Sequence, residues 1–335
     1  MEILILHPGG LGDIILSLPA IALIRSQYPS ARITIAGNLD HLAAIVSNYA
    51  EKVVSLSNLP LHRLYTHEPI PETDVRFWKS YDRIVSWTGS GDPAFAANFH
   101  RIHPNVCVTR WQPKPDEARH VSQLFVDSLD FNVPSGREVI PARLHLDSKL
   151  REEGKEWLIA RGWNAPDPLI ALHPGAGSES KRWPLARFVD LARLLALQEK
   201  KRLLIIEGPA ERNLAQQMVR ALPEIALIRA ESIPLNLLAA VFLQCHGFVG
   251  NDSGIAHLSA ALNVPSVVLF GPTQPRHWAP LGSNVIILRN THGCEACASR
   301  GSEHICLANI SLEEVIGKII SNVVSRRRES EQYSS

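Results

Sequence analysis

The chain has 335 residues, 45% of them hydrophobic, and its 34 basic and 33 acidic side chains give a formal net charge of +1. This length and composition are typical of two globular domains, and the balanced charge argues against bulk binding to nucleic acid. No apolar segment approaches the ~20 residues of a membrane span, and residues 1–6 lack the basic start of a signal peptide. We therefore expect a cytoplasmic protein.

Apolar runs of four to seven residues alternate with segments of helical period, a pattern typical of parallel sheets covered by helices. In the first half this alternation predicts strands at residues 2–6, 32–36, 52–56, 83–87 and 105–109. Helices are predicted at 13–28, 39–49, 73–80 and 118–129, followed by a long polar helix at 147–161. The proline-rich residues 164–168 (NAPDP) then predict a linker.

The pattern restarts after this linker, with strands predicted at residues 169–173, 202–206, 225–229, 247–250, 266–270 and 284–288 and helices between them. The prediction is an α/β protein with two Rossmann-like, doubly wound domains, at residues 1–165 and 166–325, that face each other across a cleft. Residues 326–335 are expected to form a disordered tail. Because ligands bind outside the carboxyl ends of parallel strands, the loops that follow the strands are the candidate sites.

The loop at residues 7–13 (HPGGLGD) joins the first predicted strand to the first predicted helix. Gly9, Gly10 and Gly12 predict close approach of the backbone to a ligand and unusual φ angles. Their spacing does not match the G-x-G-x-x-G fingerprint, which argues against a nicotinamide enzyme. Asp13 closes the loop at the helix start, where a helix cap is the ordinary role.

The loop at residues 173–184 (HPGAGSESKRWP) follows the first strand of the second domain and begins with the same three residues. Gly177 and Ser178 offer N–H and hydroxyl donors to a ligand. Lys181 and Arg182 supply the positive charge that a diphosphate requires. The alternative is a basic pair that only faces solvent.

A third turn, at residues 208–211 (GPAE), follows the strand predicted at 202–206. It lies at the same predicted sheet edge as the loop at 173–184. Glu211 is predicted to bind ribose hydroxyls, and an ordinary acidic residue at a helix start is the alternative.

The stretch at residues 251–258 (NDSGIAHL) is typical of a polar turn that opens a helix and presents backbone N–H groups to an anion. Asp252 would repel a naked phosphate, so we expect it to accept hydroxyls from a sugar that is carried by a diphosphate. Ser253 and Gly254 belong to the same turn, and His257 lies on the same helix face as Ser253. The turn therefore predicts a nucleotide-sugar site. The alternative is simple helix capping, with His257 as a core residue.

Four residues near the C-terminus form a candidate zinc site, because a C-x-x-C pair is followed by a further His and Cys. They are Cys294, Cys297, His304 and Cys306. Reduced thiols or an incidental disulfide are the preferred alternative, so we expect no metal.

Three segments carry a family resemblance: ILILHPGGLGDIILSLP at residues 3–19, KRWP at 181–184 and NDSGIAHLSAALNVPSVVLFGPT at 251–273. Together they resemble glycosyltransferase family 9, the ADP-heptose:lipopolysaccharide heptosyltransferase family. The resemblance implies a GT-B fold with an N-terminal acceptor domain and a C-terminal nucleotide-sugar domain. It also implies that a heptose or a related sugar is transferred with inversion, without a metal and without a cofactor, since the ADP-sugar is a substrate.

The resemblance also implies roles for residues that match the family motifs. Asp13 matches the catalytic base, and Lys181 matches the lysine near the diphosphate and the sugar. The donor-binding loop is matched by Asp252, Ser253, Gly254 and His257. The glycines of the loop at 7–13 are expected on the acceptor side. The implied partners are a nucleotide-sugar donor and a lipid-linked glycan acceptor, with peripheral contact to the cytoplasmic face of the inner membrane and no nucleic acid.

Two other functions stay open at this point. One is a nucleotide-sugar epimerase of the same fold, which would require more carboxylates around the sugar than the motifs provide. The other is a non-catalytic protein that binds a sugar nucleotide and in which Asp13 is only a cap.

Overall fold

The computed structural model describes residues 1–42, 46–114, 116–129, 139–165, 167–208, 213–289 and 305–332. The chain divides into two compact units, Met1–Ala142 and Arg143–Ser335. Within the described ranges, every helix is too short or too polar to span a bilayer.

The first unit contains the strands β1 (Glu2–Leu6), β2 (Arg32–Gly37), β3 (Lys52–Ser55), β4 (Arg83–Ser86) and β5 (Val106–Val108). They form a parallel sheet in the order β3-β2-β1-β4-β5. The central strand β1 is buried on both faces, since Ile3 and Leu4 point to opposite sides and both are fully buried. This two-sided burial explains why β1 is a continuous apolar run rather than an alternating one.

The helices of the first unit are α1 (Leu11–Gln27), α2 (Leu39–Leu42), α3 (Val46–Tyr49), α4 (Glu72–Lys79), α5 (Pro93–Ile102) and α6 (Val121–Asp127). The helix predicted at 39–49 corresponds to α2 and α3, and residues 43–45 lie outside the described ranges. Helix α5 was not predicted, although its start has two local signals. Asp92 accepts a hydrogen bond from the backbone N–H of Phe95 (2.9 Å), and Pro93 occupies the first turn.

The second unit contains the strands β6 (Leu169–His173), β7 (Arg202–Glu207), β8 (Leu227–Glu231), β9 (Gly247–Asn251), β10 (Ser266–Phe270) and β11 (Val285–Arg289). They form a parallel sheet in the order β11-β10-β9-β6-β7-β8. The two parallel sheets confirm the α/β, doubly wound prediction. Every predicted strand is present to within two residues, and β8, predicted at 225–229, shows the largest shift.

The helices of the second unit are α7 (Ser148–Ile159), α8 (Leu185–Leu197), α9 (Leu214–Ala221), α10 (Leu235–Phe242), α11 (Gly254–Ala261), α12 (Pro275–Trp278), α13 (Ile305–Ala308) and α14 (Leu312–Gln332). Helix α7 packs closely on α10, because a Cβ added at Gly154 would lie 2.5 Å from the carbonyl carbon of Ala240. The division after Ala142 therefore precedes the boundary that the sequence suggested at residue 165. Helix α14 continues into the segment expected to be a tail, whose Arg, Glu and Gln residues favour helix.

Candidate functional site

The loop after β1 is closed by hydrogen bonds among its own residues. The backbone N–H of Gly9 donates to Nδ1 of His7 (3.1 Å), and the backbone N–H of Gly10 donates to Oδ2 of Asp13 (2.9 Å). A Cβ added at Gly9 would lie 2.5 Å from Cβ of Asp13 and 2.8 Å from Cε1 of His7, so no side chain fits there.

Close packing requires glycine at Gly9, whereas a Cβ added at Gly10 would make only an ordinary contact, 3.8 Å from Oδ2 of Asp13. None of Gly9, Gly10 and Gly12 has a positive φ, so the prediction of unusual φ angles was wrong for them. Gly10, the residue that precedes α1, has φ of −76°, which other residues adopt readily. The physical reason for glycine at position 9 is its short distance to the side chains of His7 and Asp13.

Asp13 lies in the first turn of α1, three residues after the N-cap Gly10. Its carboxylate therefore helps to close the helix start, as the capping interpretation requires. The helix start also stabilises a negative charge at this position, because unpaired N–H groups and the helix dipole point toward it. A capped carboxylate that is only half-buried can also take part in chemistry.

Two histidines near Asp13 were missed by the sequence analysis. His7 is fully buried beside the rings of Trp87 (5.4 Å between centroids) and Phe125 (5.5 Å), and burial lowers its pKa from 6.5 to about 3. Burial also lowers the pKa of His41 in α2, although the negative charges of Asp40 and Asp13 act to raise it. His7 is thus neutral at ordinary pH, and His41 is close enough to Asp13 for their charges to interact.

In the second unit, β6 and β9 end side by side, because His173 is in register with Gly250. The loops that leave these two strands bring together two of the predicted site residues. Nζ of Lys181 lies 2.9 Å from Oδ2 of Asp252. The Asp252 side chain is only 6% exposed and that of Lys181 is 34% exposed, so the ammonium group is the more accessible partner of a half-shielded ion pair.

This ion pair changes the expected interaction of Asp252 with a phosphate. Asp252 alone would repel a phosphate, but the ammonium group of Lys181 balances its charge. Lys181 forms an ion pair with a buried carboxylate. It is therefore not the purely solvent-facing lysine of the alternative interpretation. A ligand with both a diphosphate and hydroxyl groups has partners of both kinds here.

The turn between β9 and α11 combines a capped helix start with buried polar groups. Oγ of Ser253 accepts a hydrogen bond from the backbone N–H of Ala256 (3.4 Å), so Ser253 caps α11. Gly254, the first residue of the helix, does not have a positive φ. His257, one turn further on, is buried. The predicted residues of this turn therefore all lie at one helix start.

The segment at residues 174–183 crosses the ends of these strands and is fastened by a residue to which the sequence analysis gave no role. Asn251 is fully buried, its Oδ1 accepts the backbone N–H of Trp183 (2.9 Å), and its Nδ2 donates to the carbonyl groups of Pro174 (2.9 Å) and Gly175 (3.2 Å). Within the segment, Gly177 is open, since a Cβ added there would have no atom within 4 Å.

Other polar groups of this segment bond locally. Oγ of Ser178 lies 2.7 Å from Oγ of Ser180, and Nη2 of Arg182 donates to the carbonyl group of Ala176 (3.5 Å). The predicted ribose contact Glu211 lies outside the described residues. Nearby, the carboxylate of Glu207 accepts the backbone N–H of Asn213 (2.9 Å) and so fastens the chain just before α9.

The candidate zinc ligands cannot be placed. Cys294, Cys297 and His304 lie outside the described residues, and the side chain of Cys306 does too. Among the described residues, no three His, Cys, Asp or Glu side chains are grouped closely enough to hold a metal ion.

Comparison with known proteins agrees with the sequence motifs. The sequence model of glycosyltransferase family 9 (heptosyltransferase) matches residues 109–307, more than half of the chain. The lipooligosaccharide heptosyltransferase 2 of Haemophilus influenzae is 24% identical over 357 residues, which cover 95% of this chain and 98% of that protein.

Two solved structures have a similar fold. The Escherichia coli ADP-heptose lipopolysaccharide heptosyltransferase II has a TM-score of 0.77 at 20% identity, over 98% of this chain and 100% of that chain. The E. coli heptosyltransferase WaaC with ADP-2-deoxy-2-fluoro heptose has a TM-score of 0.62 at 19% identity, over 95% and 98% of the two chains. These likenesses confirm the GT-B prediction.

Proposed function

Because the chain belongs to glycosyltransferase family 9 and is therefore a glycosyltransferase, we propose that it transfers a heptose or a related sugar from an ADP-sugar to a lipopolysaccharide core or a related glycan. The observation that carries this proposal is the ion pair between Lys181 and Asp252 at the strand ends of the second unit. This pair offers a cation to a diphosphate and a carboxylate to sugar hydroxyls. A similar structure that contains an ADP-heptose analogue supports the same class of donor.

The donor is held by charge and by backbone groups. Lys181 contacts the diphosphate, and the start of α11 at Gly254 directs its N–H groups toward the same anion. Asp252 accepts hydroxyls of the transferred sugar. As the glycosidic bond breaks, negative charge grows on the departing ADP, and these groups stabilise it more strongly than they stabilise the intact donor.

The acceptor is activated by a carboxylate. Asp13 takes the proton of the acceptor hydroxyl while the hydroxyl oxygen forms a bond to the anomeric carbon. The bond from that carbon to the diphosphate oxygen breaks, and ADP carries away the electron pair. A single displacement of this kind inverts the anomeric configuration.

The transfer does not depend on a metal in this scheme, because Lys181 and the helix start supply the positive charge that stabilises the diphosphate. No cofactor takes part, since the ADP-sugar is consumed as a substrate. The acceptor is a lipid-linked glycan, and the protein meets it at the cytoplasmic face of the inner membrane by peripheral contact.

Release of ADP from ADP-heptose, with and without a lipopolysaccharide core that lacks heptose, tests the proposal. We expect release only in the presence of the acceptor, no loss of rate in EDTA, and a product of inverted anomeric configuration by NMR. An epimerase would convert the donor without acceptor-dependent ADP release, and a binding protein would bind ADP-heptose unchanged. Either result would contradict the proposed function.

A further inference from the structure

Asn251 makes three hydrogen bonds with an amide group that is fully buried. Its carbonyl oxygen accepts from the backbone N–H of Trp183 (2.9 Å), and its amino group donates to the carbonyl groups of Pro174 (2.9 Å) and Gly175 (3.2 Å). One side chain thereby fastens both ends of the segment at residues 174–183. Lys181 lies within that segment.

The next residue in the chain joins the same arrangement from the other side. Asp252 follows Asn251 at the end of β9 and forms the ion pair with Lys181 (2.9 Å). Two consecutive residues thus hold the backbone of the segment and its functional ammonium group. Any shift of the segment relative to β9 would change the distance between the two charges.

The hydrogen bonds between the two fastened ends are local. The backbone N–H of Lys181 donates to the carbonyl group of Ser178 (3.1 Å), and that of Arg182 donates to the carbonyl group of Glu179 (3.0 Å). These bonds shape the segment but do not tie it to the sheet. The segment lies near the end of β10, since a Cβ added at Gly271, the residue after that strand, would lie 3.3 Å from the carbonyl oxygen of Ser180.

We infer that Asn251 is a positioning residue for the donor diphosphate, because its amide fixes the segment that carries Lys181 beside Asp252. This inference rests on the proposed function, in which Lys181 contacts the diphosphate. The amide of Asn251 does not contact the donor itself, since its oxygen and its amino group are already engaged with the backbone. Displacement of a charged group by about 1 Å can cost roughly 100-fold in rate, so this fastening matters for function.

The substitution Asn251→Asp keeps the hydrogen bond that this side chain accepts and removes the two that it donates. The remaining oxygen can still accept the N–H of Trp183, but the second oxygen faces the carbonyl groups of Pro174 and Gly175 and cannot donate to them. The control is the same change at Asn322, whose Nδ2 likewise donates to two backbone carbonyl groups, of Asn284 (3.0 Å) and Ser266 (3.5 Å).

A double-mutant cycle distinguishes positioning from general stability. ADP affinity is measured by calorimetry for wild type, Asn251→Asp, Lys181→Ala and the double variant, with folding checked by circular dichroism. We expect Asn251→Asp to weaken ADP binding by roughly tenfold or more, and to change it by less than about twofold once Lys181 is absent. Asn322→Asp should lower thermal stability and leave ADP affinity within about twofold of wild type.

Several outcomes would overturn the inference. They are unchanged ADP affinity in folded Asn251→Asp, additive losses in the double variant, and an equal loss in Asn322→Asp. If Asn251→Asp does not fold, Asn251→Ser repeats the cycle without a buried charge, and the same outcomes decide. Wild-type protein that does not bind ADP would instead overturn the proposed function, and this inference with it.

Discussion

The same three residues, His-Pro-Gly, lead out of β1 and β6, but the side chains that hold the two loops come from different places. In the first loop the side chains that hold the backbone are its own, because Gly9 bonds to His7 and Gly10 bonds to Asp13. Its backbone also bonds to β2, where the carbonyl group of Ala36 accepts from the N–H of His7 (2.8 Å). The second is fastened from outside, by Asn251 of a neighbouring strand.

The length of each loop explains this difference. The first leads directly into α1, so a side chain from the first helical turn can reach back to its backbone. The second contains an extra stretch before α8 begins at Leu185, and its ends bond to a residue of another strand.

The two histidines differ as well: Nδ1 of His7 accepts a hydrogen bond, whereas Nδ1 of His173 donates to the carbonyl group of Ile206 (3.1 Å). The same three residues therefore lead into one short loop closed by its own side chains and one longer loop held by a neighbouring strand.

The largest expected effect concerns the side chain that closes the first loop. Asp13→Asn keeps an oxygen that can accept the N–H of Gly10, so folding and ADP affinity should be retained. Loss of the base should lower kcat by roughly 10²–10⁴-fold. Steady-state kinetics and calorimetry with ADP check this, and near-normal turnover of the folded variant would leave Asp13 with a capping role alone.

The second loop is expected to respond through donor binding. Lys181→Ala should weaken ADP affinity by roughly 10- to 100-fold, because a hydrogen bond to a charged group contributes about 1.5–3 kcal/mol. Asp252→Ala is the matched variant of the same ion pair, and it should spare ADP but weaken the intact ADP-sugar. Titration of both ligands against both variants decides, and equal losses for Asp252→Ala would mean that Asp252 shapes the loop and does not contact the sugar.

Crowding distinguishes Gly9 of the first loop from Gly91, an exposed glycine before α5. Gly9→Ala should destabilise the protein by about 1–3 kcal/mol, because the added Cβ would collide with Asp13 and His7. The control Gly91→Ala adds the same methyl group at an exposed site with no atom within 4 Å. Urea unfolding compares the two, and equal stabilities would show that the first loop can rearrange.

Buried His7 should make stability depend on pH. Its pKa is about 3 in the folded protein against 6.5 in an unfolded chain, so the unfolded state binds more protons between these values. The neutral imidazole contributes its full stability above about pH 6.5, and this contribution falls by about 1.4 kcal/mol per pH unit as pH decreases toward 3. In urea unfolding between about pH 6 and pH 4, the free energy of unfolding of His7→Gln should decrease less steeply with falling pH than that of wild type. Parallel curves for wild type and variant would place His7 in contact with water.

The smallest expected effect is at the open glycine of the second loop. Gly177→Ala should leave stability unchanged or raise it by about 0.4–1 kcal/mol, since nothing surrounds the added methyl group. If the donor approaches this backbone, ADP affinity should fall several-fold while the melting temperature holds. Unchanged affinity would remove Gly177 from the donor site.

The sequence by itself determined the strands, because a strand buried on both faces is a continuous apolar run that can be located without knowing its neighbours. It also marked the loops after β1, β6 and β9 as candidate sites, since ligands bind where parallel strands end. The start of α5 is also encoded locally, by the capping Asp92 and by Pro93 in the first turn.

Only the tertiary structure decided which side chains meet. The pairing of Lys181 with Asp252, the fastening of Pro174 and Trp183 by Asn251, and the burial of His7 beside Trp87 all join residues far apart in the chain. Hydrophobic periodicity shows which face of an element is buried, but a hydrogen bond or an ion pair depends on the distance between two elements. That distance is set by strand order and register, which place the end of β9 beside the end of β6.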